Sequence, residues 1–202
     1  MTQDLRIANP APLGLCAFAL TMFTLSCYNA GIFGMTLSTP PNVITGLSLF
    51  YAGFAQLLAG MWEFKTGNTY GATAFTSYAC FWLSYAAILI PGFGIQEAYN
   101  GGHEKEFVDA VAIFLLAWTI FTFLMWLGTL KANIAISSMF ALLFLSLALL
   151  TISDFKRSPG FKRAGGYFGI VTALVAWYTA FAGILTHENS YFTLPVGNLS
   201  KS

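Results

Sequence analysis

Six stretches of the 202-residue chain are long and apolar enough to cross a bilayer, and short polar connectors rich in proline and glycine separate them. A spanning helix needs about 20 predominantly apolar residues. On that criterion spans are predicted over residues 13–33, 43–62, 70–90, 108–127, 134–152 and 165–185. Asn9-Pro10-Ala11-Pro12 opens the first, because proline in the first helical turn removes a donor that would be unpaired anyway. Thr39-Pro40-Pro41-Asn42 precedes the second, and Pro91-Gly92 ends the third. The expected architecture is an all-α membrane protein, a six-helix bundle over residues 13–185 with a short segment 1–12 before it and a tail 186–202 after it. The longest connectors, residues 92–107 and 153–164, are too short to be soluble domains, and no internal repeat is visible. The second of them, which holds Asp154, Lys156, Arg157, Lys162 and Arg163, is the one plausible docking loop.

Composition sharpens this picture. Hydrophobic residues make up 57% and charged residues 8%, where a soluble domain carries about a quarter charged residues. The surface is therefore expected to face lipid. A net charge of +1, without a basic patch interleaved with aromatics, gives no case for nucleic acid. Cys16, Cys27 and Cys80 all lie in apolar stretches and read as small core residues. His103 and His187 are isolated in connectors, and no Walker, GxSxG or HExxH motif occurs, so neither enzyme, metal nor cofactor chemistry is expected. The N-terminal residues are too polar for a secretory signal, which leaves insertion to the first span. Charge does not orient the bundle. Four cations (Arg6, Lys65, Lys131, Lys201) share the side of the termini, and five (Lys105, Lys156, Arg157, Lys162, Arg163) share the other. Small residues such as Gly46, Ala52, Gly53, Ala59 and Gly60 suit close helix packing, within one protomer or between copies.

Polar groups at membrane depth are costly and mark candidate pathways. Gln56 and Glu63 are seven residues apart and share a helical face; Glu63 either reaches the interface or handles protons or substrate, and the deeper Gln56 needs partners in any case. Phe18, Leu25 and Asn29 form one stripe, and Tyr78, Trp82, Tyr85 and Leu89 another. Such stripes are packing or a lined cavity; mid-span Tyr78 and Trp82 favour the cavity, since their O–H and N–H need buried partners. No lysine or arginine falls inside a predicted span, so a pathway must be built from neutral donors: Thr21, Asn29, Tyr78, Ser84, Thr122 and Ser146. A neutral, narrow path suits a small weak acid that carries, or travels with, a proton. An inside-negative potential opposes anion entry by about 2.3 kcal/mol per 100 mV, and a co-transported proton cancels that term.

Asn9-Pro10-Ala11-Pro12-Leu13-Gly14-Leu15 resembles the N-terminal signature of the acetate uptake transporters, also called succinate–acetate permeases. The likeness continues through Phe50-Tyr51-Ala52-Gly53-Phe54-Ala55-Gln56, Gly60-Met61-Trp62-Glu63, Asn68-Thr69, Ser77-Tyr78, Phe81-Trp82-Leu83-Ser84, Ile95-Gln96-Glu97-Ala98-Tyr99 and Ala176-Trp177-Tyr178, and its flavour is fungal. The resemblance implies a six-helix protomer in a homohexamer of the plasma membrane, cytosolic termini, and proton-linked movement of acetate, sometimes succinate or other short acids. It implies a hydrophobic constriction of Phe18, Tyr78 and Leu143, the last placed by its distance from Lys131. Asn9, Pro10, Pro12, Leu13, Gly14 and Leu15 would shape one mouth of the pathway, with Thr21, Asn29, Trp82 and Ser84 along it. Departures from the family pattern stand at Ala52, Ala79, Cys80 and Thr179, where bulk or a hydrogen-bonding group changes. Ammonia or ammonium export, and a non-transporting acetate sensor or scaffold, are the alternatives.

Overall fold

The computed structural model describes residues 7–199. Arg6 and Lys201, and the outermost parts of the two terminal segments, lie outside the described residues. Six long helices follow one another: α1 (Ala11–Ala30), α2 (Ile44–Lys65), α3 (Thr69–Leu89), α4 (Glu104–Leu127), α5 (Ile134–Lys156) and α6 (Pro159–Ile184). Each is long and apolar enough to span a membrane.

Local chemistry sets the ends. Gly31 closes α1 in the left-handed conformation, with φ at 68° and its N–H donating to the Cys27 and Tyr28 carbonyls. The side chain of Asn68 caps α3 by accepting from the Gly71 N–H at 3.0 Å, and Asn133 caps α5 by accepting from the Ile136 N–H at 2.8 Å. The expected docking loop over residues 153–164 is corrected. α5 runs on to Lys156 and α6 starts at Pro159, so only Arg157 and Ser158 lie between them. Proline at the first helical position starts α6 well before its apolar stretch, and the cations are tolerated because they sit in its first turns, near water. As a result Lys162 and Arg163 belong to a spanning helix, which the apolar boundaries had excluded.

The helices form a ring in which α3 packs on α2, α2 on α1, α1 on α6, α6 on α5 and α5 on α4. Glycines allow the tightest crossing. A Cβ on Gly166 of α6 would lie 2.7 Å from the Asn29 backbone carbon of α1. Side chains, more than backbone, close the ring between α3 and α4: the Phe81 and Phe114 rings stack at 5.5 Å, and Trp118 meets Phe81 edge-on at 5.3 Å.

Over Leu47–Ala55 α2 follows π-helical hydrogen bonding, and the Gln56 N–H donates to the Tyr51 carbonyl. A wide turn accommodates an extra residue and rotates the face presented beyond it, a feature found often at functional sites. Gly53 fits this turn because a Cβ there would strike the Ser48 carbonyl and the Leu83 side chain. Outward faces carry large apolar residues, for example Ile113, Leu116, Ile120, Phe123, Leu124 and Leu127 of α4. After α6 the chain returns across the end of the bundle that carries the termini. There the Ile134 N–H donates to the Gly197 carbonyl at 2.8 Å and the Tyr178 hydroxyl to the Pro195 carbonyl at 2.6 Å.

Candidate functional site: two cavities either side of three side chains

Two cavities lie inside the ring, and three residues line both: Phe18 of α1, Tyr78 of α3 and Leu143 of α5. All three are buried. The Phe18 and Tyr78 rings are 6.1 Å apart between centroids, and Phe140 and Phe121 press on Tyr78 at 6.1 and 5.6 Å. The Tyr78 hydroxyl shares a hydrogen bond of 2.8 Å with that of Thr122. That bond satisfies both groups at membrane depth and fixes the ring's direction.

The larger cavity, about 130 Å³, extends from the three residues toward the end of the bundle opposite the termini. Leu25, Asn29, Trp82 and Tyr85 line it, as do Asp154 and Lys162. The Lys162 ammonium donates to the Leu37 carbonyl at 3.0 Å and so ties the α1–α2 connector over this end. The Trp82 side chain is fully buried, and its indole N–H has no partner among the described residues.

The smaller cavity, about 90 Å³, lies toward the termini and is walled by Leu15, Phe75, Ile136, Met139 and Phe140. Its polar lining comes from Gln56, Asn68 and Tyr70. The Tyr70 hydroxyl is occupied, donating to the Met125 carbonyl at 2.8 Å. Gln56 is 1% exposed, and its carboxamide oxygen has no partner among the described residues. Each cavity is large enough for several waters or a small molecule.

The chain matches the GPR1/FUN34/yaaH family over residues 1–201. It belongs to that family. Acetate permease A of Emericella nidulans is 45% identical over 202 residues, 96% of this chain and 67% of that protein. Ammonia transport outward protein 2 of Saccharomyces cerevisiae is 46% identical over 195 residues, 94% of this chain and 68% of its own length. Accumulation of dyads protein 2 of the same yeast is 50% identical over 186 residues. The chain spans 64% of that relative's length, so it is shorter than these fungal members. The succinate-acetate/proton symporter SatP of Escherichia coli is 35% identical and matched over 96% of its length. The solved structure of the bacterial acetate channel SatP superposes with a TM-score of 0.81 at 33% identity, covering 95% of this chain and 100% of the other. The all-α, six-helix architecture expected from the hydrophobic pattern is thus the architecture of this family.

The family member described here arranges the candidate residues as follows. Phe18, Tyr78 and Leu143 meet at the junction of the cavities, with Asn29 and Trp82 in one and Leu15 and Gln56 in the other. Pro12 and Gly14 are buried in the α1 packing, where a Cβ on Gly14 would lie 2.7 Å from the Phe75 ring. Other candidates lie outside the two cavities. Ser84 is exposed on the outer face of α3, because two residues beyond Trp82 is about half a turn, which puts it on the opposite face. Leu13 is 46% exposed and also faces outward. Asn9 and Pro10 sit at the end of the bundle and line neither cavity; the Asn9 side chain accepts from the Ala11 N–H at 3.1 Å. Thr21 is buried, but its hydroxyl donates to the Ala17 carbonyl of its own helix. Glu63 is turned inward near the end of α2. It is 2% exposed, and one carboxylate oxygen accepts from the Asn68 amide at 2.7 Å while the other has no partner among the described residues. Sequence reasoning missed Asp154 and Lys162, because both were assigned to a solvated connector.

Proposed function

We propose that this protein carries acetate and other short-chain carboxylates, succinate among them, across the plasma membrane together with protons. The observation that carries the reading is the pair of cavities, one toward each end of the bundle, joined at Phe18, Tyr78 and Leu143. These three side chains would be the constriction. Their apolar surfaces pass a compact cargo and hold back bulky or strongly hydrated ones. Lys162 stands only at the end opposite the termini, so the middle of the path offers no fixed cation, and a proton travelling with the acid removes the charge that would oppose passage. The family membership and the names of two relatives, an acetate permease and a succinate-acetate/proton symporter, support the same cargo. In this reading the protein is a transporter and not an enzyme, both termini face the cytosol, and six protomers assemble with one pathway each. The outward apolar faces would then meet lipid or a neighbouring copy.

Ammonium export is the second reading. A yeast relative bears the name of an outward ammonia transporter, and the rings of Tyr78, Phe81 and Trp82 offer cation–π surfaces along the larger cavity. Labelled acetate flux into proteoliposomes, with and without an imposed pH gradient, decides. Uptake that an inward proton gradient accelerates, and that unlabelled acetate but not ammonium blocks, is the expected result. Absence of acetate flux, with ammonium flux present, removes the first reading.

A further inference from the structure

The two cavities differ in the polar group that each leaves without a partner among the described residues: an indole N–H in the larger and a carboxamide in the smaller. Indole nitrogen can only donate, whereas a primary amide sets an acceptor beside two donors in one plane. The smaller cavity also has no charged residue in its lining, while Asp154 and Lys162 line the larger. The Gln56 Oε1 is buried in an apolar chamber without a partner among the described residues, which is costly; a donor relieves it, and a group that presents an acceptor beside that donor engages the amide N–H as well. A protonated carboxylic acid does so. Its O–H donates to Oε1 of Gln56 while its carbonyl accepts from Nε2, closing a ring of two hydrogen bonds. A carboxylate has acceptors only and would set a negative oxygen against Oε1, in a chamber where an unpaired ion is strongly disfavoured. Exchanging the oxygen and nitrogen of the amide leaves the same pair, so the argument does not depend on their assignment.

We propose that the cavity on the side of the termini binds its cargo as the neutral, protonated acid, paired to the Gln56 carboxamide. This rests on the carboxylate-transport reading and adds the species carried and the residue that selects it. The titratable residues that share this lining with Gln56 are Tyr70 and Tyr78 on α3, Glu63 lies two turns further along α2, and α1 and α5 contribute only apolar residues. Among the residues that line this cavity, Asn68 is engaged by Glu63, Tyr70 by the Met125 carbonyl and Tyr78 by Thr122, which leaves the amide as the docking group; Glu63, whose second oxygen is also unpartnered, is not part of the lining.

Acetamide is the probe. It has the planar shape of acetic acid, offers a donor beside an acceptor, and is uncharged at any working pH. The assay is labelled acetate uptake by the full chain in proteoliposomes over a range of pH. Acetamide is expected to compete with acetate in the parent protein. KM for total acetate should rise about tenfold per pH unit above the acid's pKa, tracking the neutral fraction. Gln56→Leu should raise KM about tenfold, change kcat less, and abolish competition by acetamide. Gln56→Met is the second apolar variant should Leu fail to fold. Gln56→Glu should keep competition at acid pH, where its own carboxyl is protonated, and lose it as pH rises. A purely packing role for Gln56 would give no such pH profile. Intact acetate uptake that acetamide leaves untouched overturns the proposal while transport stands, as does an unchanged KM in both apolar variants. A parent protein that moves no acetate removes the transport reading, and this proposal with it.

Discussion

The hydroxyls of Tyr78 and Thr122 lie 2.8 Å apart, joining α3 to α4 at the one seam of the ring that side chains close. Both residues are buried, and each supplies the other's side-chain hydrogen bond. Because Tyr78 also lines both cavities, this hydrogen bond orients a ring that stands between them as well as joining two helices.

Thr122→Val keeps the shape of the side chain and leaves the Tyr78 hydroxyl without its partner, a change of about 1–3 kcal/mol. The expected outcome is a lower melting temperature in detergent and a freer Tyr78 ring. Uptake should then become less selective, with the ratio of lactate to acetate flux rising several-fold. An unchanged ratio alongside a lowered melting temperature would confine the bond to a structural role.

Leu143→Ala and Phe18→Ala remove bulk where the cavities meet. A buried Leu→Ala change destabilises a core by about 2–5 kcal/mol and Phe→Ala by about 3–5. Here part of the void joins existing cavity space, so the loss should fall at the lower end. Labelled lactate should enter proteoliposomes bearing either variant and not those bearing the parent, with acetate uptake retained. Lactate uptake unchanged in both would remove these residues from the constriction.

How much of this was legible beforehand follows from what each signal measures. Helix number and approximate placement came from hydrophobic run length, which lipid imposes on every span. Tyr78 and Trp82 stood out because their polar atoms need partners at mid-membrane. The true ends of α5 and α6 did not, since run length stops where charge begins, while the backbone continues until Arg157 turns left-handed at φ 51° and Pro159 restarts it. This hid the place of Asp154 and Lys162 in the larger cavity. Ser84, which lines neither cavity, came from a different signal. It belongs to a motif string, and a string says nothing about which way each residue points.

Glu63 and Asn68 make a buried pair with two duties, for the Asn68 side chain also caps α3. Asn68→Ala should therefore lose a cap, about 1 kcal/mol, and leave the Glu63 carboxyl only the longer contact from the Thr66 hydroxyl at 3.3 Å, a further cost of about 1–3 kcal/mol. Asn68→Asp separates the terms, because aspartate still caps but sets a second carboxyl against Glu63. Melting temperature should then fall further in the Asp variant than in Asn68→Ser, which still caps α3 but brings no second carboxyl to Glu63. Equal deficits in the Asp and Ser variants would mean that the side chain at 68 does not interact with Glu63.

Gly166 tests the packing that holds α1 in place. Alanine is the better helix former by about 1 kcal/mol, so propensity alone predicts that Gly166→Ala stabilises α6. The geometry predicts the opposite, because the new methyl would fall 2.8 Å from the Ala30 Cα and against its backbone nitrogen, and backbone cannot rotate aside as a side chain can. Overpacking of this kind costs about 1–3 kcal/mol, occasionally more. α1 should be forced away from α6, and since α1 carries Phe18, the junction of the cavities should widen with it. Gly160→Ala is the matched control. It lies near the start of the same helix with only the Ser158 hydroxyl oxygen nearby, at 3.9 Å, and should keep or slightly raise the melting temperature. Gly166→Ala is expected to lower it by several degrees and to slow acetate uptake or let larger acids through. If both alanines behave alike, the α1–α6 crossing is looser than described and α1 is positioned by its other neighbour, α2.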